Sequence, residues 1–159
     1  MDLYDNVPTL LLKAPLYLME GHVPCYQCGK VAPVFCLGSS GFVEDELVVS
    51  EFVHYSNLAW VPDALEAVLR KHARGYYFDY VKQRASCYFV NHCRCKVKLS
   101  EHLVHNLPGQ GFCPQSEADA AAITLHEIPE LGDLKVAATP VIHDLDLISG
   151  GSRRCTLRG

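Results

Sequence analysis

The sequence predicts an α+β domain, mainly antiparallel sheet with one principal helix, in which two distant cysteine pairs are drawn to a single point. Three observations lead there. Short β-branched and aromatic runs are separated by glycine, proline and serine turns. One stretch, from Pro62 to Gly75, spaces its apolar residues as a helix does. Cys25 with Cys28, and Cys93 with Cys95, make two close pairs with 64 residues between them. At 159 residues, 49% hydrophobic and 20% charged, the chain has the size of one domain and enough apolar side chains for a real core. A single domain is expected over 1–148, with 149–159, rich in glycine and arginine, as a flexible tail.

Taken in order, residues 9–19 are apolar but interrupted and read as an extended entry segment. The Pro24-Cys25 step opens a turn-rich stretch closed by Gly29. Val31, Val34, Phe35 and Leu37 form a short strand ended by Gly38-Ser39-Ser40-Gly41, and Glu46 to His54 is a second β-rich run carrying Val49, Phe52 and Val53. The principal helix starts near Pro62, whose missing N–H has no partner in a first turn anyway. Asp63 and Glu66 suit the positive end, and Leu65, Val68, Leu69 and His72 recur at helical spacing up to Arg74 and Gly75. Tyr76, Tyr77, Phe78 and Tyr80 follow as an aromatic cluster read as core and rim, and Cys87 to Val90 as a strand leading into His92. Lys96 to Val104 alternates like a strand, which sends His102 and His105 to opposite faces. Ser116 to Ala122 tolerates helix, Ile123 to Ile128 reads as a strand, and Leu134 to Ala138 and Val141 to Leu147 as the last strands. On the last of these Asp144 and Asp146 share a face; that spacing suits a divalent cation, but a solvated strand edge explains it more simply.

The chemistry concentrates in the cysteines. Cys25-Tyr26-Gln27-Cys28-Gly29 has the form of a zinc knuckle: a two-residue gap lets both sulfurs converge on one ion, and glycine supplies the positive φ that closes the turn. Cys93-Arg94-Cys95 stands where a second knuckle would. Residues two apart on an extended strand hold their Cβ atoms too far apart unless the chain turns there, so a set of Cys25, Cys28, His92 and Cys95 stands as an alternative to the four cysteines. The long insertion between the knuckles is no obstacle. Loop closure costs only about 0.6 kcal/mol more per doubling of length, against a contribution on the order of 10 kcal/mol from structural zinc. The expected cofactor is therefore zinc, bound by Cys25, Cys28, Cys93 and Cys95 in a ribbon-like site.

Competing readings are weaker. A thioredoxin-like redox pair opens a helix, which Gly29 and Pro33 oppose. Cys36, Cys87 and Cys113 lie in apolar surroundings and read as buried thiols, and Cys155 as exposed and incidental. Glu101 with His102 and His105 suggests a hydrolytic metal centre, but no His-Glu-x-x-His is present; a metal-dependent enzyme needs His92, His102 or His105 to join cysteine ligands and leave a place for water. His22, His54, His72, His126 and His143 are scattered singly and read as surface or satisfied core residues. A formal charge of −4 opposes a nucleic-acid coat, although Arg70, Arg74, Arg94 and Lys98 are candidates for a local basic patch. No stretch approaches the length of a membrane span, the opening run to Leu18 lacks the pattern of a secretory signal, and paired cysteines outside an export route point to a reducing, cytoplasmic setting.

The chain resembles a group of small bacterial zinc-ribbon-like proteins without an assigned activity. The likeness rests on Cys25-Tyr26-Gln27-Cys28-Gly29-Lys30, on Tyr55-Ser56-Asn57 before the helix, and on Tyr88, Asn91-His92-Cys93 and Gly111-Phe112-Cys113-Pro114, covering residues 22–128. It implies zinc held by the two cysteine pairs and carries no substrate. The sequence departs from the pattern at the second knuckle, where Cys93-Arg94-Cys95 replaces the expected Cys-x-x-Cys. The resulting expectation is a non-enzymatic module whose metal supports a recognition surface for a protein partner, with nucleic acid as the narrower option.

Overall fold

A computed structural model describes residues 7–142 and 145–158. It is sheet-rich with few helices. Twelve strands occur among the described residues: β1 (Thr9–Leu12), β2 (Leu16–Pro24), β3 (Val31–Ser39), β4 (Phe42–Glu44), β5 (Leu47–Val49), β6 (Val53–Trp60), β7 (Tyr76–Val81), β8 (Ser86–His92), β9 (Lys98–Leu99), β10 (Thr124–Ile128), β11 (Leu134–Val141) and β12 (Arg153–Thr156). The helices are α1 (Asp63–His72), α2 (Glu101–His105), α3 (Glu117–Ala121) and α4 (Leu145–Gly151). Nine strands form one sheet in the order β12-β10-β2-β3-β6-β11-β1-β4-β5, and β7-β8-β9 form a second. The pairings are antiparallel except β10 with β12, which is parallel.

Several expectations are corrected. The Glu46 to His54 run is broken at Ser50, so that β5 and β6 are separate strands; the entry segment is extended as expected and consists of β1 and the start of β2. Lys96 to Val104 is not one strand: β9 ends at Leu99, and Ser100 then caps α2, its hydroxyl accepting from the Leu103 N–H at 3.1 Å. The expected Val141 to Leu147 strand is absent, because β11 ends at Val141 and Asp146 falls in α4; Asp144, with His143, lies outside the described residues. The 149–159 stretch carries the end of α4 and β12, which continues the large sheet beside β10.

The principal helix forms as its sequence dictates. Pro62 caps it in an extended conformation, Asp63 and Glu66 occupy the first turn, Arg70, Lys71 and His72 the last, and Glu66 pairs with Arg70 at 2.9 Å. Its buried Leu65 and Leu69 pack with Leu10, Leu37, Tyr55 and Leu58 from the large sheet and Tyr76 and Phe89 from the small one. That one cluster therefore spans both sheets. At about 25 cal/mol per Å² of apolar surface removed from water, such a core is a major source of stability, independent of metal.

A second tie crosses between the sheets at Asn91, which is 1% exposed. Its side-chain carbonyl accepts from the Phe35 N–H at 2.8 Å, and its amide donates to the Phe35 carbonyl at 2.9 Å. One side chain thus satisfies a backbone donor and a backbone acceptor on β3, and it sets the end of β8 next to the β2–β3 hairpin.

Candidate metal centre

Both cysteine pairs lie at hairpin tips. β2 and β3 pair from Leu16 with Ser39 out to Pro24 with Val31, so Cys25 to Lys30 is their connecting turn. Within it the Cys25 N–H donates to the Lys30 carbonyl and the Gly29 N–H to the Cys25 carbonyl, both at 2.9 Å, and Gly29 takes φ +75°. β8 and β9 pair out to His92 with Lys98, so Cys93 to Val97 is the second tip. Here the Cys93 N–H donates to the Val97 carbonyl at 3.0 Å and the Lys96 N–H to the Cys93 carbonyl at 2.9 Å. The second knuckle is thus the first with one residue removed. Its tight turn folds Cys93 and Cys95 to the same side, which removes the objection that an extended strand would separate them.

The four sulfurs meet. Cys25 Sγ stands 3.7 Å from Cys95 Sγ and Cys28 Sγ 3.6 Å from Cys93 Sγ, and all four lie within 4.8 Å of one another. These are not disulfide separations, which are about 2.05 Å; every cysteine is a free thiol. A tetrahedral ion with metal–sulfur bonds of about 2.3 Å has sulfur–sulfur edges of about 3.8 Å, which the observed contacts nearly match. Cys25 and Cys93 are buried, Cys28 and Cys95 exposed, so the inner pair packs against the core and the outer pair faces solvent.

The thiols are electrostatically unequal. The Cys28 N–H directed at its sulfur lowers Cys25 to about 7, with burial opposing and the Gln27 N–H assisting. At Cys95 the Val97 N–H lowers, but burial and the sulfurs of Cys25, Cys93 and Cys28 raise the thiol to about 11. Four thiolates this close repel one another strongly, and a bound cation would remove that repulsion as it displaces the thiol protons. The residues present therefore fit a metal ion.

His92 does not belong to this set. Its Nδ1 faces the Gly75 carbonyl at 2.9 Å, its Nε2 faces Asp79 Oδ2 at 2.8 Å, and the ring stacks on Tyr77 at 3.9 Å. Both nitrogens are committed away from the sulfurs, so the ligand set with His92 is set aside. His102 is exposed on α2, whereas His105 is buried and meets Glu101 at 3.1 Å. Of the other thiols, Cys36 and Cys113 are buried, Cys87 is half-buried and Cys155 exposed on β12. Burial, with the Glu101 carboxylate adding, pushes the Cys36 thiol well up.

The hairpin tips also form part of a cleft of about 850 Å³. Tyr26 enters it from the first turn and Lys96 and Val97 from the second, while Val81, Lys82 and Arg84 line it from the end of β7 onward and Glu101 and His102 from α2. Lys98 and Arg84 are thus brought together with Lys82 and Lys96, a grouping that sequence spacing alone does not give. Arg70 and Arg74 do not line this cleft. A further convergence was not anticipated: Cys36, His54 and His105 place one donor atom each within 4.8 Å of one another, all three buried. No helix of the described residues is long and apolar enough to cross a membrane.

Comparison with protein-family models, with curated proteins and with solved structures finds no match.

Proposed function

We propose that the chain is a non-enzymatic binding module in which a structural zinc ion, held by Cys25, Cys28, Cys93 and Cys95, fixes two hairpin tips as one wall of a recognition cleft. The observation that carries the reading is the close approach of four sulfurs at 3.6 and 3.7 Å across the tips of β2–β3 and β8–β9. Zinc is the natural ion for four thiolates, and a closed set of four leaves no coordination position from which to activate water. The metal's contribution is then to join the tips, with recognition residing in the flanking surface.

Charge and chemistry of the cleft support an acidic protein segment as the partner. Lys82, Arg84 and Lys96 supply cations, with Lys98 beside them paired to Asp79, while Tyr26, Val81, Val90 and Val97 give apolar contact between them. Beside it β7 is the edge of the small sheet, with Tyr77, Phe78 and Tyr80 each about half exposed, an aromatic surface of the sort enriched at protein interfaces. The same cations and Tyr26, 68% exposed, favour single-stranded nucleic acid as the second reading.

Metal analysis of the purified chain tests the first element, since folded protein free of zinc overturns it. For the second, binding of an acidic peptide and of a single-stranded oligonucleotide is measured against salt, with Lys96→Glu/Lys98→Glu as the charge-reversed control. Peptide binding that the double variant loses supports the reading. Salt-sensitive binding of the oligonucleotide alone transfers it to nucleic acid, and binding of neither defeats the recognition role while leaving the metal assignment intact.

A further inference from the structure

We propose that Cys36, His54 and His105 form a second metal site, for a borderline-soft divalent transition ion of the zinc and cobalt kind, buried beneath α2 and separate from the four-cysteine centre.

The placement follows from sheet register. Met19 of β2 pairs with Cys36 of β3, and Gly38 of β3 pairs with His54 of β6. Paired residues share a face, and so do residues two apart on a strand, so Cys36 and His54 emerge on the same side of the large sheet. Gly38 between them has no Cβ, and one added there would stand 2.9 Å from Met19 Sδ and 3.0 Å from the Phe52 ring. α2 crosses this face and delivers His105, whose ring lies 5.2 Å from that of His54 at an interplanar angle of 14°. Phe112 closes over both imidazoles at 5.5 and 6.1 Å.

Three separate elements thus bring one thiol and two imidazoles to a point where Cys36 is 1%, His54 0% and His105 2% exposed. Their donor atoms lie within 4.8 Å of one another, against edges of about 3.3 to 3.6 Å for one ion bound by sulfur and nitrogen, so the side chains would close inward on binding. One thiolate with two imidazoles selects zinc, cobalt or copper over magnesium and calcium, which take oxygen ligands. Binding converts the Cys36 thiol to thiolate and releases its proton to solvent.

The surroundings match what such a site requires. Glu101 Oε2 stands 3.1 Å from His105 Nε2, in the place of the outer carboxylate that orients a metal-bound imidazole. The Met19 thioether lies 3.7 Å from Cys36 Sγ, a further soft group beside the site. Glu101 also lines the 850 Å³ cleft, so occupancy of the buried site acts directly on a carboxylate of the recognition surface.

Titration of the metal-free folded chain with cobalt(II), read by absorption, tests this. The wild type is expected to saturate at about two equivalents: one with the strong thiolate-to-cobalt absorption of four sulfurs, one with the visible bands of tetrahedral cobalt but much weaker thiolate absorption. Cys36→Ala, which deletes only the sulfur, removes the second component and keeps the first, which also certifies that the variant is folded; His105→Gln does the same independently. Saturation of the wild type at one equivalent with a four-sulfur spectrum overturns the second site, as does retention of both equivalents by both variants. Loss of the four-sulfur component alone fails the centre at the hairpin tips and leaves this site standing.

Discussion

Lys96 takes φ +77°, a conformation that L side chains adopt at a cost of roughly 1 to 2 kcal/mol, at the position where the first knuckle has Gly29 at +75°. The shortened turn is closed by Lys96 in the place glycine would take, and Lys96→Gly is expected to stabilise the protein by about 0.5 to 1 kcal/mol in urea denaturation; destabilisation would show that the lysine side chain contributes more than its backbone strain costs. Gly75, at φ +85°, is more restricted, because a Cβ there would stand 2.7 Å from the His92 carbonyl oxygen, whereas at Gly29 it meets nothing within 4 Å. Gly75→Ala therefore costs more than Gly29→Ala, by 1 kcal/mol or more, and equal losses would contradict the packing of Gly75 against β8. Among the thiols the contrast is sharper. Cys25→Ser should abolish metal at the hairpin tips and lower the melting temperature markedly, whereas Cys155→Ser, exposed on β12, should stay within about 0.5 kcal/mol of wild type.

At the scale of elements, the small sheet is knitted by Asp79. From β7 its carboxylate reaches His92 on β8 at 2.8 Å and Lys98 on β9 at 3.6 Å. The hydrogen bond from His92, then the Tyr80 N–H and the Lys98 charge, hold the Asp79 carboxyl below its ordinary value. A carboxylate depressed in the folded state contributes stability that is complete above its unfolded value, near 4, and is lost as pH falls through the lower folded value. Asp79→Asn should therefore reduce stability at neutral pH and differ progressively less from wild type below about pH 4; a constant difference down to pH 2 would rule out the linkage. The same scale shows what was legible beforehand. α1, β3, β8 and β10 were readable because their apolar spacing and flanking breakers agree. α2 was not: Val97, Leu99 and Leu103 alternate well enough to mimic a strand, and the decisive signal is the capping hydroxyl of Ser100, a single residue outweighing a pattern. The cysteine pairs were legible because ligands within a knuckle are close in sequence. Cys36, His54 and His105 were not, since their meeting depends on the register of β3 with β6 and on α2, whose residues alternate like those of a strand.

On the scale of the whole molecule, links of different kinds hold the small sheet to the large one. One apolar cluster, around Leu65, Leu69, Tyr76 and Phe89, joins the sheets through α1 and another sets Tyr88 and Val90 against Ala59 and Ala137, while the hairpin tips meet at the four sulfurs and Asn91 ties β8 to β3. A further cluster, which includes Cys25, Cys93, Val23, Leu99, Val104 and Phe112, packs directly behind the tips. Removing metal therefore exposes the tips to thiolate repulsion without dismantling the apolar links. Chelation should leave the nine-stranded sheet folded but loosen the tips, in contrast to small zinc fingers, which have no core to fall back on and unfold outright. Hydrogen exchange provides the readout: amides of Cys25, Gly29, Cys93 and Lys96, which close the two turns, should lose protection by at least tenfold, while those of β2, β3 and β11 away from the tips keep theirs. Uniform loss across both sheets would mean that the metal, not the α1 cluster, is what holds this architecture together, and no loss at the turns would mean that hairpin geometry alone already fixes the four sulfurs.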